Sequence, residues 1–170
     1  ELLNAYFTEM VAAVKAHDGV VDKFMGDAIM AVWGVPQGQP DDSLRALQAA
    51  QAMNDALVVH NKHRSEQGLP SLRHGIGLHL GDAVAGDIGT PARRQYTVIG
   101  DPVNIASRLE SMTKELKTPL IVSKSVVETA QRSGGSMPPV EPRGTVAVRG
   151  RTKPVEIFSV GPSSDDDPAI

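Results

Sequence analysis

Two short stretches carry residue types that could do chemistry. The first, "VDKFMGDAIMAV" (Val21 to Val32), sets Lys23 and Asp27 among apolar residues. A carboxylate at the tip of a tight turn, preceded by glycine, can reach a hard divalent cation, because Mg²⁺ takes oxygen ligands and commonly uses one or two protein carboxylates with phosphate oxygens. Gly-Asp is also ordinary turn chemistry, and a strand lysine can lay its stem on apolar surface with its ammonium in water. The second stretch, "QYTVIGDPVNIASRLE" (Gln95 to Glu110), places Asn104 and Arg108 four residues apart, one above the other on a helical face. An arginine fork takes phosphate oxygens in a bidentate manner and supplies charge where it develops during phosphoryl transfer, while an amide can orient a sugar or a leaving oxygen. A plain solvated face is the alternative for this pair. Asp101 can serve as no more than the cap of that helix, with Pro102 in its first turn. The histidines lack the spacing of a metal site; His60 and His63 lie one turn apart, which we place at an exposed helix end.

The elements that must position these residues follow from periodicity. Val20 to Gly34 is rich in β-branched and apolar residues and breaks only at "MGDA", which predicts a hairpin. Before it, "ELLNAYFTEMVAAVKAHDG" predicts a helix with Leu3, Phe7, Met10 (or Val11) and Val14 on one stripe. Asp41 or Asp42 should cap a helix bearing Leu44, Leu47, Ala50, Met53 and Leu57 and ending near Glu66 to Pro70. Leu72 to Leu80 alternates as a strand with His74 in phase, and "AVAGDIG" (Ala83 to Gly89) is expected as its hairpin partner. Next come a strand in "RQYTVIGD" and a helix in "PVNIASRLESMTKEL" with Ile105, Leu109, Met112 and Leu116 on one face. A buried strand "PLIVS", a short helix "KSVVETAQRSGG" and two strands around a turn at Arg149 to Lys153 complete the pattern. Hairpins mixed with helices predict an α+β fold with a mostly antiparallel sheet and flanking helices. We expect one domain over residues 1–161 and a disordered tail at 162–170, "PSSDDDPAI".

Composition narrows the function classes. With 170 residues, 41% of them hydrophobic, the chain suits one domain with a sizeable core. Seventeen Lys+Arg against 20 Asp+Glu leave a net charge of −3, so no general basic field marks a nucleic-acid binder. The chain has no cysteine, which excludes disulfides and thiolate metal sites, and no long apolar run; a cytosolic domain is the default expectation.

Taken in order, "LNAYFTEMV", "HDGVVDKFMGDAIMAVWG", "IGLHLGDAVAGDIG", "YTVIGDPVNIASRLE" and "VAVRGRTKPVEIFSV" resemble the catalytic domain of the class III nucleotidyl cyclases, the adenylyl and guanylyl cyclases. The resemblance runs along nearly the whole chain. It implies a ferredoxin-like, palm-type sheet with flanking helices, and conversion of ATP to 3′,5′-cyclic AMP and pyrophosphate with two Mg²⁺ or Mn²⁺ ions per site. It also implies a head-to-tail homodimer whose sites lie between the two copies, and regulatory, sensory or membrane-anchoring segments elsewhere in the full-length protein.

Residue by residue, the resemblance makes Asp27 a metal ligand and Lys23 the reader of the purine, with Thr97 at the partner position. Lysine with threonine favours adenine, whereas guanine-selective members typically carry glutamate and a small residue or cysteine there. Asn104 and Arg108 match the pair that orients the ribose and stabilises charge on the α-phosphate. Arg151 matches a lysine that contacts the terminal phosphates, and Arg93 is a further phosphate candidate. The family's first metal aspartate sits on a strand ahead of the "LNAYF" helix, and no matching text precedes that helix here, so the resemblance implies that one of the two metal carboxylates is absent from this chain. A catalytically inactive nucleotide-binding and dimerising domain of the same fold is the alternative. A diguanylate cyclase is disfavoured, because the hairpin tip reads "MGDA" rather than that family's signature.

Overall fold

The structure is a computed structural model and describes residues 2–90, 93–148 and 154–161. The chain runs α1 (Leu2–Ala16), β1 (Val20–Met25), β2 (Ala28–Val32), α2 (Asp42–Glu66), β3 (Ile76–Leu78), β4 (Val84–Thr90), β5 (Arg93–Ile99), α3 (Asp101–Glu115), β6 (Leu120–Ser123), α4 (Lys124–Arg132), β7 (Val140–Val146) and β8 (Val155–Val160). Two antiparallel hairpins, β1-β2 and β4-β5, accompany a four-stranded sheet of order β3-β6-β8-β7. In that sheet β3 pairs with β6 in parallel and the other pairings are antiparallel. This is an α+β fold with a mixed sheet and flanking helices, as the alternation of hairpins and helices predicts. The expected tail and the turn at Arg149 to Lys153 lie outside the described residues.

Both faces of the four-stranded sheet are covered, which explains why "LIVS" is buried without alternation. Leu120 and Val122 face Leu44, Leu47, Val126, Val127 and Ala130 of α2 and α4. Ile121 and Ile157 face Ile105 and Leu109 of α3 on the other side. Successive residues of one strand thus enter two different clusters, as the period of two requires. Among the described residues no helix is long and apolar enough to cross a membrane.

Several expectations need correction. The strand expected over Leu72 to Leu80 is only Ile76–Leu78, because the residues before it spend their polar groups on α2: Leu72 exchanges two hydrogen bonds with the Asn61 side chain. Its partner is not "AVAGDIG". β4 pairs with β5 throughout its length, while β3 joins β6 across a helical crossover. Leu3 is exposed, and the buried stripe of α1 rests on Met10 and Val14. Asp101 is the first residue of α3, not its cap. Gly100 holds the cap position at φ +147°, a backbone region that side chains rarely adopt. Asp41 stands at the cap position of α2 but makes no capping hydrogen bond; the neighbouring Asp42 accepts from the Gln39 backbone N–H and from Arg45. His60 is not exposed: it is buried, with Nδ1 3.0 Å from a Glu9 carboxylate oxygen.

Candidate functional site

The site is built on the β1-β2 hairpin. Gly26 and Asp27 form a two-residue loop between paired Met25 and Ala28, and Gly26 takes φ +64° as the first residue of that loop. A tight hairpin of this kind needs positive φ there, which glycine supplies without strain. The loop holds Asp27 exposed at the tip.

The register of β1 breaks between Val21 and Lys23, so Asp22 is an extra residue with no partner on β2. In a regular strand, neighbouring side chains point to opposite faces; a bulge relaxes this and re-aims a side chain. Here it lets Asp22 and Lys23 meet, with Nζ 3.3 Å from Oδ2. The Asp22 side chain is only 4% exposed, and the same Oδ2 accepts a 2.8 Å hydrogen bond from the Thr97 hydroxyl of β5. A buried carboxylate thus ties two of the expected purine-reading residues together. The sequence reading passes over Asp22. The available signal is the adjacent Asp-Lys pair in an otherwise apolar strand, which regular alternation would split between two faces.

Lys23 and Asn104 line one open cleft of about 540 Å³, with Met30 from β2, Val98 from β5, and Gly100 and Asp101 at the start of α3. That volume lies in the range of small-molecule sites, about 300–1,000 Å³. Asn104 and Arg108 are both exposed on α3, while Ile105 and Leu109 beside them are fully buried, so the polar pair sits on a firmly seated helix. The structure therefore brings Lys23, Thr97 and Asn104 to one region, with Arg108 one helical turn beyond. Asp27 is not among the residues that line the cleft. Arg151 and the side chain of Arg93 lie outside the described residues.

Helix α1 braces the hairpin. Phe7 packs against Phe24 of β1, with ring centroids 4.8 Å apart. At the preceding residue, the Tyr6 hydroxyl donates to His74 Nδ1 at 2.8 Å, and His74 Nε2 donates to Asn54 Oδ1 at 2.8 Å. The amide oxygen can only accept, so Nε2 carries a proton, and with the ring neutral Nδ1 is the acceptor for Tyr6. Burial pushes the His74 pKa down to about 4. Burial, helped by the Asp27 carboxylate, pushes the Tyr6 phenol up to about 12, so Tyr6 stays a donor.

A stability prediction follows from His74. Its folded pKa, about 4, lies below the ordinary value of 6.5. Between those values the unfolded chain binds a proton that the folded chain does not. Stability is therefore fully present above pH ~6.5 and is lost as pH falls toward ~4, by about 2 kcal/mol at pH 5. Urea unfolding at pH 7 and pH 5 should show this loss, and His74→Gln should flatten most of it.

Among the described residues no cluster of three or more His, Asp or Glu side chains could by itself hold a metal ion. The donor chemistry of Asp27 still fits Mg²⁺ or Mn²⁺. It offers an exposed carboxylate on a rigid turn, and such ions routinely take only one or two protein oxygens with substrate phosphate completing the shell.

Comparison with known proteins places the fold in a family. The family model described as "Adenylate and Guanylate cyclase catalytic domain" matches residues 1–161. The chain belongs to this family of class III nucleotidyl cyclase catalytic domains. It is 36% identical over 159 residues to Adenylate cyclase 1 of Rhizobium meliloti (strain 1021), which covers 94% of this chain and 23% of that protein. It is 37% identical over 163 residues to Adenylate cyclase of Anabaena cylindrica, covering 93% and 31%. The chain thus spans well under half the length of these curated relatives. Among solved structures, the adenylyl cyclase CyaB from P. aeruginosa superposes with a TM-score of 0.82 at 30% identity, covering 95% of this chain and 81% of that one. The guanylyl cyclase Cya2 superposes at 0.80 with 35% identity, covering 98% and 82%. Adenylyl and guanylyl enzymes resemble the chain about equally, so the fold does not select the base.

Proposed function

We propose that this chain is the catalytic domain of an adenylyl cyclase of the subclass with threonine at the purine site, converting ATP to 3′,5′-cyclic AMP and pyrophosphate. The observation that carries this is the placement of Lys23 and Asn104 on one cleft, with the Thr97 hydroxyl joined to Lys23 through one buried carboxylate. Lys23 donates to N1 of adenine and Thr97 accepts from the 6-amino group; guanine offers the opposite pattern at that edge. Asn104 orients the ribose. Arg108 holds the α-phosphate and meets the charge that grows there as the 3′-oxygen–phosphorus bond forms and the bond to the pyrophosphate oxygen breaks. Arg93 and Arg151 contact the outer phosphates. The 3′-hydroxyl proton passes to water, and pyrophosphate departs with the electron pair of the broken bond.

Asp27 supplies one of the carboxylates that would hold two divalent cations, with substrate phosphate oxygens completing their shells. When bound, such ions lower the pKa of the attacking hydroxyl and neutralise the leaving group. The site is shared head to tail between two copies, with Asp27 from one and the purine, ribose and phosphate residues from the other. Exposed Phe24, Met25, Tyr96 and Ile99 on the hairpins supply apolar surface for such a partner. Regulatory or sensory segments elsewhere in the full-length protein would act through this pairing.

The test is product formation from ATP and from GTP with Mn²⁺, identified by mass with pyrophosphate counted. Cyclic AMP from ATP, with little cyclic GMP from GTP, is expected. Cyclic GMP as the main product would overturn the base assignment.

A further inference from the structure

We propose that Asp22 is a specificity-determining positioning residue: by taking the hydroxyl proton of Thr97, it turns an ambivalent hydroxyl into a fixed acceptor and so selects purines that carry an amino group at position 6. The inference rests on the assignment of Lys23 and Thr97 as the base readers.

A threonine hydroxyl has one proton to give and two lone pairs. Left free, it can donate to a 6-oxo purine as readily as it accepts from a 6-amino purine, and it discriminates between neither. Here its proton is committed to Asp22 Oδ2 at 2.8 Å. An ionised carboxylate only accepts, and this one is 4% exposed, so water offers little competition for the bond. What Thr97 has left to present is a lone pair. A 6-amino group satisfies it, whereas a 6-oxo group sets acceptor against acceptor.

The same carboxylate oxygen lies 3.3 Å from Lys23 Nζ. One of the three ammonium protons is thereby engaged, and the remaining ones suit an unprotonated N1, as in adenine, rather than the N1–H of a 6-oxo purine. Asp22 reaches both side chains only because the bulge between Val21 and Lys23 releases it from the alternation of β1. An ion pair kept only for stability would need no bulge to reach a hydroxyl on another hairpin.

The experiment measures the affinity of the chain for ATP and for inosine triphosphate, which carries a 6-oxo group without guanine's 2-amino group, by competition against a fluorescent ATP analogue. The readout is the ratio of the two dissociation constants, which a general loss of stability would not move. Thr97→Val should lower the preference for ATP about tenfold, the effect of losing one neutral hydrogen bond's discrimination. Asp22→Leu, which keeps the buried volume, should lower it by a similar factor, and Asp22→Ala serves if leucine does not fold. The double variant with Thr97→Val should lose no more than the single variants, because both act through one hydroxyl. Asp22→Asn keeps an accepting oxygen and should retain the preference. If Thr97→Val lowers the ratio while Asp22→Leu and Asp22→Ala leave it unchanged, Asp22 is a structural ion-pair partner and the proposal falls. If Thr97→Val itself leaves the ratio unchanged, or the chain binds neither nucleotide, the base-reading assignment falls and takes this proposal with it.

Discussion

Mixing a Lys23→Ala chain with an Asp27→Ala chain should restore about a quarter of the wild-type cyclase activity, although each variant alone has lost at least a hundredfold. The expectation comes from where the hairpin leaves its two charges. Lys23 is half-buried beside Asp22 and lines the cleft with Asn104, whereas Asp27 stands exposed on the Gly26–Asp27 loop and does not line that cleft. In a head-to-tail pair, one hairpin therefore serves two sites, with its lysine in one and its aspartate in the other. Random pairing of equal amounts makes half of the pairs mixed. In each mixed pair both lesions fall in the same site, which leaves the other intact, hence about a quarter of the total. The measurement is cyclic AMP formed by the full-length protein co-expressed in the two variant forms: about a quarter of wild type for the whole population, and about half for mixed pairs captured through two different tags. Mixed pairs that form but stay inactive would place both residues in the same site and refute the shared arrangement.

Much of this fold is legible in the sequence, and the failures have physical causes. The hairpin is legible because a two-residue loop with glycine at a positive φ leaves a local signature. Helix α3 is legible because Ile105 and Leu109 repeat at helical spacing behind Pro102, and both are fully buried. Strand partners are a different matter. Alternation says that Ile76 and Leu78 face one way but says nothing of who pairs with them, and the true partner, β6, lies beyond a hairpin and a helix. A hairpin with the next strand-like segment is the local guess; β4, which covers all of "AVAGDIG" but its first residue, instead pairs with β5 over its whole length. His60 shows the same limit for side chains. Its place toward the end of a helix suggests exposure, yet α1 supplies Glu9 to it and it is buried.

The site divides along the same line. Lys23, Thr97, Asn104 and Arg108 are visible as residue types at recognisable spacing, and three of them come together in one region. Asp22 is not visible that way, because its position depends on a register break that only the pairing of β1 with β2 reveals. A sequence read with a strict period of two sends Asp22 and Lys23 to opposite faces. The bulge overrides that period, and the carboxylate that joins Lys23 to Thr97 is the one that local pattern conceals.

Replacing Arg108 by alanine should lower kcat by about 10²–10³ while KM for ATP changes by less than about threefold. The split follows from when the contact matters. A ground-state triphosphate is already held by several groups, so one guanidinium contributes little to initial binding. Charge on the α-phosphate oxygens changes most as the 3′-oxygen approaches and pyrophosphate leaves, and a donor fixed in advance at that point lowers the barrier without having to reorganise. Arg108 has such a mounting. Its helix is capped at Gly100 and begins at Asp101, and its neighbours Ile105 and Leu109 are locked against Ile121 and Ile157 of the sheet. Arg108→Lys should recover only part of the loss, because a lysine keeps the charge but not the planar fork that grips two oxygens. Steady-state kinetics on the three proteins decides it. A variant that raises KM strongly and leaves kcat intact would show that Arg108 binds substrate and transition state alike, and would move the source of catalysis to other groups.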